Sequence, residues 1–230
     1  VSQIFPEEQA MSQHLDLVKF DNSNPEARCP CVLLVDTSGS MSGAPMDELN
    51  KGLAAFQQEL QRDDLAALRV EVAIVSFGNG VKVEQEFVTA NSFTAPTLRA
   101  GGNTPMGAAI NQALELVRTR KETYKQHGVP YYRPWIFLIT DGAPTDEWRS
   151  AAQRVQAEEA GKAVAFFAVG VQKADLKVLS QITPRQPLQL QGLKFSDMFV
   201  WLSQSLTTVS HSQVGEQVPL QAPSGWSVIE

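Results

Sequence analysis

The chain has 230 residues, 43% of them hydrophobic, which is enough to bury one large core and fits a single domain better than two small ones. Its 19 basic and 25 acidic residues leave a net charge of -6, so nucleic acid and anionic membranes are not expected partners. No apolar run reaches the roughly 20 residues of a spanning helix. Val1–Ala10 also lacks the basic-then-apolar order of a signal peptide, so the expectation is a soluble, cytoplasmic protein.

In chain order, residues 1–28 form a polar lead-in with Asn22, Ser23, Asn24 and Pro25 in succession. The domain proper spans 29–212, and 213–230 is a tail. The only cysteines, Cys29 and Cys31, flank Pro30, too close for an unstrained disulfide and too few for a zinc site; they read as structural or incidental thiols, with a redox or shared metal role the alternative, and their scarcity suits a reducing compartment. Cys31–Asp36 is a short apolar run suited to a strand buried on both faces. Met46, Leu49, Leu53, Phe56 and Leu60 then fall on one helical stripe.

Val70–Phe77 reads as a strand. After the turn signal Gly78-Asn79-Gly80, Val81–Val88 alternates apolar and charged residues, as an antiparallel edge strand does. Met106, Ile110, Ala113 and Val117 mark another helix. Strands follow at Trp135–Thr140 and Ala163–Val169, with a helix over Glu147–Gly161 between them. A short helix from Asp175, a strand at Leu188–Leu190 and a helix carrying Phe195, Met198, Phe199, Leu202 and Leu206 close the series. This alternation predicts an α/β fold: an open, doubly wound, mostly parallel, Rossmann-like sheet with one antiparallel edge strand and helices on both faces.

In such sheets ligands bind beyond the carboxyl ends of the strands. Three loops qualify. Asp36-Thr37-Ser38-Gly39-Ser40 follows the first strand, Gly101-Gly102-Asn103-Thr104-Pro105 precedes a helix, and Asp141-Gly142 ends WIFLIT. Together Asp36, Ser38, Ser40, Thr104 and Asp141 offer two carboxylates and three hydroxyls, a donor set for a hard cation; the low charge favours Mg²⁺, with Mn²⁺ able to substitute. Each residue also has a plainer reading: Thr104-Pro105 as a helix cap and first-turn proline, the serines and Asp141-Gly142 as polar turns.

Asp-x-Ser-x-Ser at 36–40, with Thr104 and Asp141, resembles the metal-ion-dependent adhesion site of von Willebrand factor A domains. The stretches DTSGSMSG, GGNTPMG and LITDGAPTD, and the tail residues Leu190, Gly192, Leu193, Phe195, Trp201, Leu202 and Ser205, are most similar to the bacterial TerY-like branch associated with tellurium resistance. The resemblance implies a metal touched by Ser38, Ser40 and often Thr104, with Asp36 and Asp141 acting directly or through water. One coordination position would be left for a partner's carboxylate. It also implies a non-enzymatic protein-binding module in a stress response, with a protein kinase and a PP2C-type phosphatase as candidate partners.

The alternatives are a Mg²⁺-dependent phosphoryl-transfer enzyme, or a scaffold with a vestigial site. The first wants a Lys or Arg clamp that none of the three loops supplies. His14, His127 and His211 have no triad context, and Ser38 lacks a Gly-x-Ser-x-Gly elbow. Asp146 and Glu147 read as caps of the helix that follows them. Tyr131, Tyr132, Arg133 and Trp135 form either an exposed aromatic patch or a loop tucked against the sheet.

Overall fold

The computed structural model describes residue 20 and residues 23–228. Most of the expected lead-in, His14 included, lies outside the described residues. A seven-stranded sheet has the order β3-β2-β1-β4-β5-β6-β7. Its strands are β1 (Cys29–Asp36), β2 (Val70–Gly78), β3 (Gly80–Thr89), β4 (Trp135–Thr140), β5 (Ala165–Gly170), β6 (Leu188–Leu190) and β7 (Ser227–Val228). β1 pairs in parallel with β2 and β4, so Leu33 stands beside both Ile74 and Phe137. The helices are α1 (Ala44–Gln61), α2 (Asp64–Arg69), α3 (Met106–His127), α4 (Arg149–Ala160), α5 (Leu176–Ile182) and α6 (Phe195–Ser210).

The two-residue period of β1 divides the core. Cys29, Cys31, Leu33 and Val35 face the layer of α1 and α6, where Leu49, Leu53, Phe56, Phe195, Phe199 and Leu202 pack. Val32 and Leu34 face α3 and α4, meeting Ile110, Ala113, Ala151 and Val155. Each fully buried Leu, Val or Phe contributes about 1.5–3 kcal/mol, so both apolar runs and helical stripes are driven to these positions. The expected doubly wound fold is what the chain adopts, with β3 antiparallel to β2 at one edge.

Several features lay outside the sequence reading. α2 is a short extra helix whose Asp63 accepts the Ala66 N–H at 2.7 Å. α4 begins at Arg149 and β5 at Ala165, each two residues later than the periodicity suggested. Residues flanking 29–212 also pack on the body: Arg28 is fully buried, and the tail supplies β7, antiparallel to β6, with Trp226 only 1% exposed. Tyr132 and Trp135 are tucked inside, Tyr132 donating its hydroxyl to the Ser210 carbonyl at 3.1 Å. Both thiols are fully buried; burial, helped by the Glu71 charge, pushes Cys29 up to about 12, and burial likewise raises Cys31. Among the described residues no helix is long and apolar enough to cross a membrane.

Candidate functional site

β1 and β4 are neighbours at the centre of the sheet, and the chain leaves them toward opposite faces: β1 runs into α1 and β4 into α4. This is the switch point at which open α/β sheets form a crevice. Asp36 is the last residue of β1, and Asp141 follows Thr140 at the end of β4. The third loop reaches the same place by crossing the end of β2. Gly101 N–H donates to Thr37 O at 2.7 Å, Gly39 N–H to Gly102 O at 3.0 Å and Asn103 N–H to Gly78 O at 3.1 Å. The crossing requires glycine. Gly102 has φ +82, and a Cβ there would lie 2.5 Å from the Gly78 carbonyl.

The five expected oxygens converge. Asp36 Oδ1 accepts the Ser38 N–H at 2.8 Å, the Ser38 and Ser40 hydroxyls lie 3.0 Å apart, and Ser40 donates to Asp141 Oδ1 at 2.8 Å. Thr104 lies on the same side of the site: a Cβ placed on Gly142 would be 3.3 Å from its Oγ1 and 3.8 Å from Asp36 Oδ2. Asp36 is fully buried, Ser38 and Thr104 nearly so, while Ser40 and Gly39 are exposed. The pocket therefore opens to solvent at the second serine. Burial pushes the Asp36 carboxyl above the ordinary range and the neighbouring Asp141 charge adds to this, against hydrogen bonds from Ser38 and Thr140.

The sequence reading missed one participant and misplaced another. Thr140 donates its hydroxyl to Asp36 Oδ2 at 2.5 Å, fixing the carboxylate from the neighbouring strand. Its position before Asp141, at the end of an apolar run, is the signal that pointed to it. Asp146 corrects an expectation: it caps α3, not α4, accepting the N–H groups of Gly107 at 2.9 Å and Ala108 at 2.8 Å. Glu147 does cap α4, through the Arg149 N–H at 2.7 Å. With Asp146 in place, the first turn of α3 takes no side-chain cap from its own chain start, and the plainer reading of Thr104 as an N-cap falls. Thr104 is instead anchored by its backbone, its N–H to Thr145 Oγ1 at 3.1 Å and its carbonyl to Thr145 N–H at 2.9 Å.

The sequence model of the von Willebrand factor type A domain matches residues 31–191. The chain belongs to that family. Among solved structures, this VWA domain is similar to the pilus adhesin SpaC of Lactobacillus rhamnosus GG, at 15% identity and a TM-score of 0.63 over 81% of this chain and 32% of that one. It is similar to VWA2, an ArnB paralog of Sulfolobus acidocaldarius, at 18% identity and 0.53 over 78% and 45%. A third likeness is to proximal thread matrix protein 1 of the mussel byssus with a zinc-occupied MIDAS motif, at 15% identity and 0.53 over 79% and 48%. The chain spans about a third to a half of these proteins, and at such identities the likeness is one of fold. Comparison with curated protein sequences gives no match.

Proposed function

We propose that this VWA domain binds a protein partner through one divalent cation, held by Asp36, Ser38, Ser40, Thr104 and Asp141. The observation that carries the reading is the Ser40–Asp141 hydrogen bond, which joins loops 101 residues apart and brings the second carboxylate to the hydroxyls that follow Asp36. The donor set fits a hard cation. It is all oxygen, and among the described residues no group of three or more His, Cys, Asp or Glu gathers as a softer or more charged site would. Mg²⁺ suits two carboxylates with room for water, and Mn²⁺ can replace it. The mussel protein's zinc-occupied MIDAS motif supports occupancy of this type of site by a divalent ion.

The bound cation would offset the repulsion between Asp36 and Asp141 and offer an acceptor for a partner's carboxylate. The chain's own residues orient the site: Thr140 and the Ser38 amide hold the Asp36 carboxylate, and the 101–103 crossing holds Thr104. We read the protein as a binding module and not an enzyme, because the three loops pair these oxygens with no Lys, Arg or His to clamp phosphate or move a proton. A place in the TerY-like branch, with a stress or tellurite response, cytoplasmic location and kinase and PP2C-type phosphatase partners, rests on the motif resemblance alone.

Calorimetry with Mg²⁺ and Mn²⁺ tests the metal, and capture of purified candidate partners in Mg²⁺ and again in EDTA tests the binding. Weak binding of one cation, lost in Asp36→Ala together with partner capture, is the expected result. Absence of cation binding at millimolar metal, with and without partner, would sink the reading.

A further inference from the structure

After Ser210 the tail returns along α6 and is pinned to the domain at three places. The Gln221 carbonyl accepts the Trp201 indole N–H at 3.0 Å, Leu220 packs on the core beneath α1 and α6, and the Gly225 carbonyl accepts Lys194 Nζ at 2.5 Å. Pro219–Gln221 and α6 wall a cavity of about 530 Å³, within the range of about 300–1,000 Å³ usual for small-ligand pockets. Trp201, Gln204, Ser205, Thr207 and Thr208 border it from the helix, and none of its lining residues is charged. The Trp201 ring is held in place by its N–H bond and by Trp226 and Phe137, with ring centroids 5.3 and 6.4 Å away. Ser205 is only 5% exposed, yet among the described residues its hydroxyl makes no hydrogen bond. The side-chain amides of Gln204 and Gln221 and the Thr207 hydroxyl likewise make none among the described residues.

We propose that this cavity is a second binding site, one that takes a neutral saccharide. A hexose unit would lay the C–H-bearing face of its ring on Trp201 and turn its hydroxyls to Ser205, Thr207, Gln204 and Gln221. The polarised hydrogens of that face suit the negative face of the indole. Sugar hydroxyls both donate and accept, which matches a lining of mixed amides and hydroxyls. The lack of charge selects against phosphates, carboxylates and amines, which lose hydration on entry and would find no opposite charge. A hydrocarbon-like ligand fits no better, because it would leave the Ser205 hydroxyl without a partner. Because the Trp201 ring is already fixed, binding need not order it. The site shares no residue with the proposed cation site, so it stands or falls separately from it.

The test is an NMR titration of the amide and indole N–H signals of the full chain in EDTA, with D-glucose, D-galactose, D-mannose and N-acetyl-D-glucosamine as probes. At least one sugar is expected to give saturable shifts with a Kd of about 1 mM, centred on the Trp201 indole and the amides of residues 204–208 and 220–221. Ser205→Ala removes a buried hydroxyl that has no partner and installs a strong helix former, so Tm should hold or rise while sugar affinity falls about fivefold. Gln204→Ala, at an exposed position, should also weaken binding without lowering Tm. Maltose and cellobiose distinguish a free sugar from the end of a glycan: affinity equal to that for glucose assigns the free sugar, a gain assigns the chain, and both keep the site. No saturable shift at about 50 mM of any sugar, far above the expected constant, would overturn the proposal. So would shifts centred outside the cavity, affinity unchanged in Ser205→Ala, or cyclohexanol binding as tightly as the best sugar, since the hydroxyls would then go unread.

Discussion

At the scale of single residues, Asp36 carries a conflict. Burial and Asp141 favour its neutral form, while the Ser38 amide and Thr140 hydroxyl favour the anion. The net upward displacement means that, on raising the pH, the unfolded chain releases this proton before the folded one. The metal-free protein therefore loses stability through the interval from the ordinary Asp range up to the raised folded value, and the loss persists above it. Thermal melts of wild type and Asp36→Asn in EDTA, from acid to neutral pH, should show wild type falling relative to the variant across that interval. A relative gain would mean that the two hydrogen bonds outweigh burial. With saturating Mg²⁺ the order should reverse, since binding to the folded wild type stabilises it by mass action and the Asn variant binds more weakly.

At the scale of elements, Asp146 serves two functions with one side chain: it ends the β4 loop and starts α3. Asp146→Ala should cost on the order of 1 kcal/mol as a lost cap, read by urea denaturation, and should also weaken cation affinity because Thr104 stands at the entrance of the same helix. Glu147→Ala, which frees only the start of α4, should lower stability comparably or less and leave cation affinity unchanged. The contrast marks what the sequence disclosed. Apolar runs and helical stripes revealed β1, β4, α1 and α3 because each pattern is local, and the three loops were legible because they directly follow or precede those patterns. Asp146 was assigned to the wrong helix because its true partners are 39 and 38 residues away. Thr140 was overlooked for a similar reason: its acceptor lies on a strand 104 residues earlier. Trp226 is one large apolar residue in a polar stretch, and no period announces its burial.

At the scale of the molecule, each end of the sheet buries a carboxylate, but only the one away from the site is paired with guanidiniums. Opposite the oxygen ring, near the start of β2, Glu71 is 1% exposed. It receives Arg120 through two contacts of 2.7 Å, Arg28 at 3.2 Å and the Tyr124 hydroxyl. Phe20 lies under both guanidiniums, 5.4 Å from Arg28 and 4.9 Å from Arg120. Glu71→Gln should cost about 3–5 kcal/mol by leaving the fully buried Arg28 guanidinium without its carboxylate, whereas Arg120→Met, which keeps the Glu71–Arg28 pair, should cost much less. Denaturant titration measures the difference, and cation affinity in whatever remains folded should be unchanged. The Ser40–Asp141 contact has a consequence in time. During synthesis β1, β2 and β3 emerge first and can pair among themselves, but one side of β1 stays open until β4 arrives to fill it. Until then Asp36, Ser38 and Ser40 have no second carboxylate facing them. The nascent chain is therefore blind to the ion, and capture of metal would register that the centre of the sheet has closed.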